Sequence, residues 1–166
     1  MKKVVCLLLI VCSSHLTFSQ RKWFGINLGY QVGKKQYFES GLNFTLISKK
    51  VGSSVILGYE DDVNSRNFGY KLGLTLFSNS PKLPVSVGIN YLSYKYNSLT
   101  YNCIRPEIGF TSDVLYGGSE ALIQFIYGYN INLNNQTDTM LNKHLFRLSI
   151  NTSFRGLTQL FSLILF

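Results

Sequence analysis

The feature that most constrains this chain is an alternation of side chains that continues for most of its length. From Phe24, the residues Phe24, Ile26, Leu28, Tyr30 and Val32 share one parity, and Gly25, Asn27, Gly29 and Gln31 share the other. A period of two is that of a β-strand, whose successive side chains point to opposite faces. The pattern returns in Phe38–Leu46, in Val55–Glu60 after a Ser-Lys-Lys-Val-Gly-Ser turn, in Phe68–Leu76, in Val85–Tyr91 behind Pro81 and Pro84, in Ile104–Thr111, in Ala121–Leu133 and in Phe146–Phe154. Eight such segments of about ten residues, separated by turn-rich stretches, predict an all-β chain.

The second face decides which kind of β structure this is. A soluble sandwich or lipocalin-type barrel turns apolar residues inward and charged residues outward. Here the non-apolar parity is Gly, Asn, Ser and Thr with isolated charges, and charged residues make up only 14% of the chain against about 25% in an ordinary soluble domain. The apolar parity is broad and carries aromatics toward its ends, as in Phe24 with Tyr30, Phe68 with Tyr70, and Tyr127 with Tyr129, the arrangement of interfacial girdles. The prediction is a closed antiparallel up-and-down transmembrane β-barrel of about eight strands, with lipid outside and a narrow polar interior. The opposite assignment, with the aromatics filling a core or pocket, gives a soluble periplasmic binding barrel.

The first 19 residues read as a secretory signal peptide: Met1, Lys2 and Lys3, an apolar run from Val4 to Cys12, and Thr17 and Ser19 as the small residues of a cleavage site. Nine apolar residues are too few for a transmembrane helix, which needs about 20. A lipoprotein signal acylated at Cys12 is the competing reading, and the bulky Val11 before it fits poorly. Cleavage removes two of the 16 basic residues and leaves a net charge of about +6 on the mature chain, beginning at Gln20. The Lys and Arg residues are scattered, with no stripe to follow a phosphate backbone, so nucleic acid is not an expected partner; solubility or contact with anionic lipid headgroups accounts better for the basic balance. Cys6 and Cys12 leave with the signal, so Cys103 stands alone in the mature chain, which excludes an internal disulfide framework. One intermolecular bridge through Cys103 remains open.

With the N-terminus periplasmic, Gly33–Gln36, Glu60–Asn67, Tyr94–Asn102 and Asn134–Lys143 are expected as extracellular loops. Ser48–Ser53, Ser78–Pro84 and Ser112–Ser119 are expected as periplasmic turns. The barrel is expected to span 20–154, leaving an apolar tail, 155–166. In that tail Leu157, Leu160, Phe161, Ile164 and Leu165 recur at helical spacing, whereas Leu160, Ser162, Ile164 and Phe166 alternate. Eight strands plus a membrane-associated tail are preferred over an added strand, which would require ten strands or a different count; whether the tail is helix or strand stays open.

Three segments carry a family resemblance: Thr17-Phe18-Ser19-Gln20, Arg105-Pro106-Glu107-Ile108-Gly109-Phe110, and His144-Leu145-Phe146-Arg147-Leu148-Ser149-Ile150-Asn151. Together they resemble the small eight-stranded outer-membrane β-barrels of Bacteroidota, within the wider group of OmpA-like and OmpX-like barrels. The resemblance covers most of the mature chain and implies location and fold; its motifs are strand chemistry, not catalytic signatures. It implies outer-membrane lipid and the barrel-assembly machinery as partners, and no cofactor. Barrels of this kind usually stop at a terminal aromatic, here Phe154, yet this chain runs on to Phe166.

Candidate chemistry is sparse. His144 is the one histidine after the signal segment, and Ser149 falls on the opposite face of its strand, so the two do not form the nucleophile–base pair that a lipid A deacylase requires. Glu60, Asp61 and Asp62 form the only acidic run and read as a solvated loop. No residue spacing suggests a metal site. Five charged residues, Glu39, Lys71, Arg105, Glu107 and Arg147, fall on the inward parity and on the same half of descending strands. Buried charges must pair or find water, so these five are expected to form a salt-bridge network plugging the lumen. The excess of cations in the set also suggests a gate or a small-anion site. The expected role is a structural or surface-interaction protein of the outer membrane, with no catalysis. The alternatives are a narrow pore or carrier, a lipid-modifying enzyme, and the soluble binding barrel.

Overall fold

The alternating segments form strands that pair with their neighbours in chain order and close on themselves. A computed structural model describes residues 21–64, 68–80, 82–96, 99–113, 120–134 and 142–165. The strands are β1 (Arg21–Val32), β2 (Tyr37–Ile47), β3 (Val51–Asp62), β4 (Phe68–Ser78), β5 (Val85–Tyr96), β6 (Leu99–Asp113), β7 (Ala121–Tyr129), β8 (Ile131–Asn132) and β9 (His144–Ser153), followed by a helix, α1 (Phe154–Leu165). β8 prolongs β7 across Asn130 in the same register against β6, so the two make one wall strand. The result is a closed, all-antiparallel, up-and-down barrel of eight strands.

Closure and stagger can be followed residue by residue. From Arg21 the paired positions run through Ile47, Gly52, Phe77, Ser86, Gly109, Ile126 and Arg147, and return to β1 at Gln31, not at Arg21. This ten-residue offset is the shear of the barrel; with eight strands it corresponds to a strand tilt of roughly 40° and an interior only wide enough for side chains.

The wall is polar inside and apolar outside. Asn27, Gln31, Asn43, Thr45, Ser54, Thr75, Asn90, Thr111, Gln124, Ser149 and Asn151 are buried in the lumen, while Phe24, Leu28, Leu42, Leu57, Leu72, Ile89, Ile108, Phe125 and Leu148 are exposed on the outer wall. The polar parity is therefore the inner one, and the aromatic stripe lies on the outer wall instead of filling a core. Phe68 and Tyr70 stack edge to face on this exterior, with ring centroids 5.8 Å apart.

Several boundaries differ from the sequence expectation. Tyr94–Asn102 is not a long loop: β5 runs to Tyr96 and β6 starts at Leu99, because Leu92, Tyr94 and Cys103 continue the inward parity and pack together with Tyr37. Glu60–Asp62 is not loop either, since β3 extends through Asp62 opposite Tyr37. Phe154 does not end the last strand but begins α1. Ser153 sets this boundary: its Oγ accepts the Gly156 backbone N–H at 2.9 Å, capping the helix start, and donates to the Glu120 carboxylate. Met1–Ser19, most of Ser112–Ser119 and most of Asn134–Lys143 lie outside the described residues.

Candidate functional site

The lumen is organised in layers. At the end where the termini lie, Trp23, Ile47, Phe77 and Leu122 meet as an apolar plug. At the opposite end Tyr37, Leu92, Tyr94 and Cys103 form a second apolar cluster. Between the two lie the inward polar residues and the charges.

All five charged residues singled out in the sequence lie inside the barrel, and a sixth, Glu60, joins them. The six form a chain of alternating sign. Glu107 Oε2 accepts from Arg147 Nη2 at 2.6 Å. Arg147 Nη1 donates to Glu39 Oε2 at 2.9 Å. Lys71 Nζ lies 2.7 Å from Glu39 Oε2 and 3.8 Å from Glu60 Oε1. Arg105 then grips Glu60 with both ends of its fork, Nη1 to Oε1 at 2.6 Å and Nη2 to Oε2 at 2.9 Å. The chain starts and finishes on β6, at Glu107 and Arg105, after passing through β9, β2, β4 and β3, so it ties together strands distant in sequence.

Glu39, Glu60 and Arg105 also have uncharged hydrogen-bond partners. Asn27 Nδ2 donates to Glu39, as does Gln31 Nε2 at 3.3 Å. The Tyr94 hydroxyl donates to Glu60, and Arg105 Nε donates to Asn130 Oδ1 at 2.8 Å. Bidentate Arg–carboxylate geometry of this kind is the strongest form of a protein ion pair. In a low-dielectric interior it offsets a desolvation cost of several kcal/mol per ion only when the remaining hydrogen-bonding capacity is also largely used.

Glu60 changes the electrostatic reading of the lumen. Counted without it, the network has three cations and two carboxylates; with it, three of each. The excess of positive charge that suggested a small-anion site is cancelled. Sequence reasoning placed Glu60 on the inward parity but assigned it to a loop with Asp61 and Asp62; the signal that could have found it is its direct register with Glu39 across β2 and β3. Asp62 is buried too, 3.7 Å from Lys35 Nζ, whereas Asp61 is exposed.

Beside the network, Thr75, Gly88 and Glu107 are register neighbours on β4, β5 and β6. The hydroxyls of Thr75 and Ser86, the Asn90 amide and Glu107 Oε1 are buried there without a protein hydrogen-bond partner. Groups of this kind ordinarily bind internal water.

The other candidates fall elsewhere. His144 is exposed on the outer wall, where its Nδ1 lies 2.6 Å from the Tyr127 hydroxyl and its ring meets Tyr129 edge to face; Ser149 is buried in the lumen. Cys103 is fully buried, its Sγ 3.6 Å from Asn130 Oδ1, which removes it from any bridge between folded molecules. Among the described residues no group of three or more His, Cys, Asp or Glu gathers as a metal site.

No protein-family model matches the chain, and neither curated proteins nor solved structures include a match. The closed eight-stranded antiparallel architecture is consistent with a small outer-membrane-type barrel.

Proposed function

We propose that the mature chain is an outer-membrane β-barrel of a Gram-negative bacterium with a structural or surface-interaction role, exported by its N-terminal signal and without catalysis. The observation that carries this reading is the inverted wall: six ionisable groups paired inside, and Phe, Leu, Ile and Tyr side chains predominating on the exterior of the described strands. In water such a surface would be an apolar patch far larger than soluble monomers carry; in a bilayer it is the ordinary exterior of a barrel. Strands of 11 or 12 residues, as in β1 to β5, tilted by roughly 40°, also match the hydrocarbon thickness. Kinship with the OmpA-like and OmpX-like barrels of Bacteroidota is part of the proposal and rests on the strand segments quoted above.

The layered lumen favours this role over a pore or carrier, because among the described residues apolar clusters occupy both ends with a neutral charge layer between them. The separation of His144 from Ser149 across the wall favours it over a hydrolase. Partners on this reading are outer-membrane lipid, the barrel-assembly machinery during insertion, and a surface ligand contacting the loop end.

Membrane fractionation followed by electrophoresis of boiled and unboiled samples tests the proposal. A band in the outer-membrane fraction whose mobility shifts on heating is expected. A soluble periplasmic protein with no shift would overturn it.

A further inference from the structure

The end of the barrel that carries the termini combines two features the lumen does not explain. The first is α1, an amphipathic helix. Phe154, Leu157, Leu160 and Phe161 fall on one side, and Arg155, Thr158, Gln159 and Ser162 on the other. The helix is held in a fixed attitude. Ser153 caps it, and Gly156 sits so close to the wall that a Cβ there would come within 2.6 Å of the Glu120 carbonyl oxygen and Thr152 Oγ1. In that attitude its apolar side is not sealed against the barrel: Phe154 and Phe161 are more than half exposed. The Phe154 ring lies 6.4 Å from Phe24, which is itself exposed on the outer wall. The apolar stripe of α1 is thus continuous with the apolar exterior of the barrel.

The second feature is charge. Lys22 at the start of β1, Lys49 and Lys50 in the β2–β3 turn, Lys82 in the β4–β5 turn and Arg155 on α1 are all exposed at this rim. The acids described there are engaged: Asp113 pairs with Arg21 at 3.3 Å, and Glu120 accepts from Ser153. A rim of exposed cations beside an amphipathic helix whose apolar side continues a membrane-facing wall matches one kind of surface, a leaflet containing anionic phospholipid.

We propose that α1 lies in the plane of the leaflet at the terminal end of the barrel, with Phe154 and Phe161 among the acyl chains, and that the surrounding Lys and Arg residues bind anionic phospholipid headgroups in preference to zwitterionic ones. This rests on the membrane-barrel reading above and adds to it a lipid class and an anchoring element.

The test uses the full mature chain carrying Phe161→Trp, reconstituted into phosphatidylcholine vesicles with a fixed fraction of either brominated phosphatidylglycerol or brominated phosphatidylcholine. The native Trp23, inside the lumen, provides the background in the unsubstituted protein. Heat-modifiable migration of the same samples first reports whether the barrel is inserted. In inserted samples, quenching of the new Trp is expected to be at least about twofold stronger with the brominated anionic lipid, since each basic residue near an anionic surface contributes about fivefold in local affinity. Adding Lys49→Gln, Lys50→Gln and Arg155→Gln is expected to bring the two quenching levels together. Equal quenching by both lipids in the parent, or no quenching by either, in samples that are heat-modifiable, overturns this proposal and leaves the membrane-barrel reading standing. Samples lacking heat-modifiable insertion count against the membrane-barrel reading itself, and the proposal falls with it.

Discussion

Arg105 and Glu60, 45 residues apart in the chain, meet across the lumen in a bidentate pair with contacts of 2.6 and 2.9 Å. The pair closes one end of the six-residue chain of alternating charge, and the Tyr94 hydroxyl and Asn130 side chain complete its hydrogen bonding. Glu60→Gln removes the carboxylate and leaves Arg105 and Lys71 buried with one fewer counter-charge. The expected cost is about 3–5 kcal/mol, the range for breaking one side of a buried pair. It would be read as a lower urea midpoint for unfolding from vesicles. Introducing Arg105→Met with Glu60→Leu is expected to recover part of that loss, because paired apolar replacements carry no stranded charge.

Arg147 bridges Glu39 and Glu107. Arg147→Met would leave both carboxylates without their shared guanidinium, and a lower temperature for the heat-induced mobility shift is expected. Unchanged migration and melting would show that the network does not support the barrel.

Conductance follows from the layering. With Trp23, Ile47, Phe77 and Leu122 packed at one end and Tyr37, Leu92, Tyr94 and Cys103 at the other, the purified protein is expected to produce no discrete current steps in planar bilayers. Regular single-channel steps would favour the pore reading.

Cys103 is a built-in folding reporter. Its thiol has no exposed surface, so a maleimide is expected to label the protein only after denaturation, and non-reducing electrophoresis of the folded protein should show no disulfide-linked dimer. Rapid labelling of the native barrel would mean that the upper lumen is open to water.

Close strand approach predicts a contrast between two glycines. A Cβ on Gly25 would fall 1.9 Å from the Thr152 carbonyl oxygen, a backbone atom of the neighbouring strand, whereas on Gly88 the nearest atoms are 3.1 and 3.2 Å away. Gly25→Ala is therefore expected to reduce the yield of heat-modifiable refolded protein sharply, because the overlap with backbone is too deep to relax locally, and Gly88→Ala to reduce it only slightly, because shifts of a few tenths of an ångström suffice there. Equal yields in vesicle refolding would contradict this account of the β1–β9 seam.

The alternation of Phe24 to Val32 and its seven recurrences determined by themselves that the chain is β, that about eight strands form, and which parity faces inward. These are local properties: a period of two is written into neighbouring residues, and the contrast between Asn27 or Gln31 and Leu28 or Tyr30 needs no knowledge of the partner strand. In the tail the sequence left the choice open, because the helical spacing of Leu157, Leu160 and Phe161 competes with the alternation of Leu160, Ser162 and Ile164. Only the tertiary structure decided which inward charges meet. The level a residue occupies in the lumen depends on the register of every strand pair, accumulated into the ten-residue stagger around the barrel, and no single segment encodes that total. Glu60 shows the consequence: its parity was readable, but its position beside Arg105 and Lys71, and with it the neutrality of the network, arose only when β3 extended through Asp62 and the sheet closed.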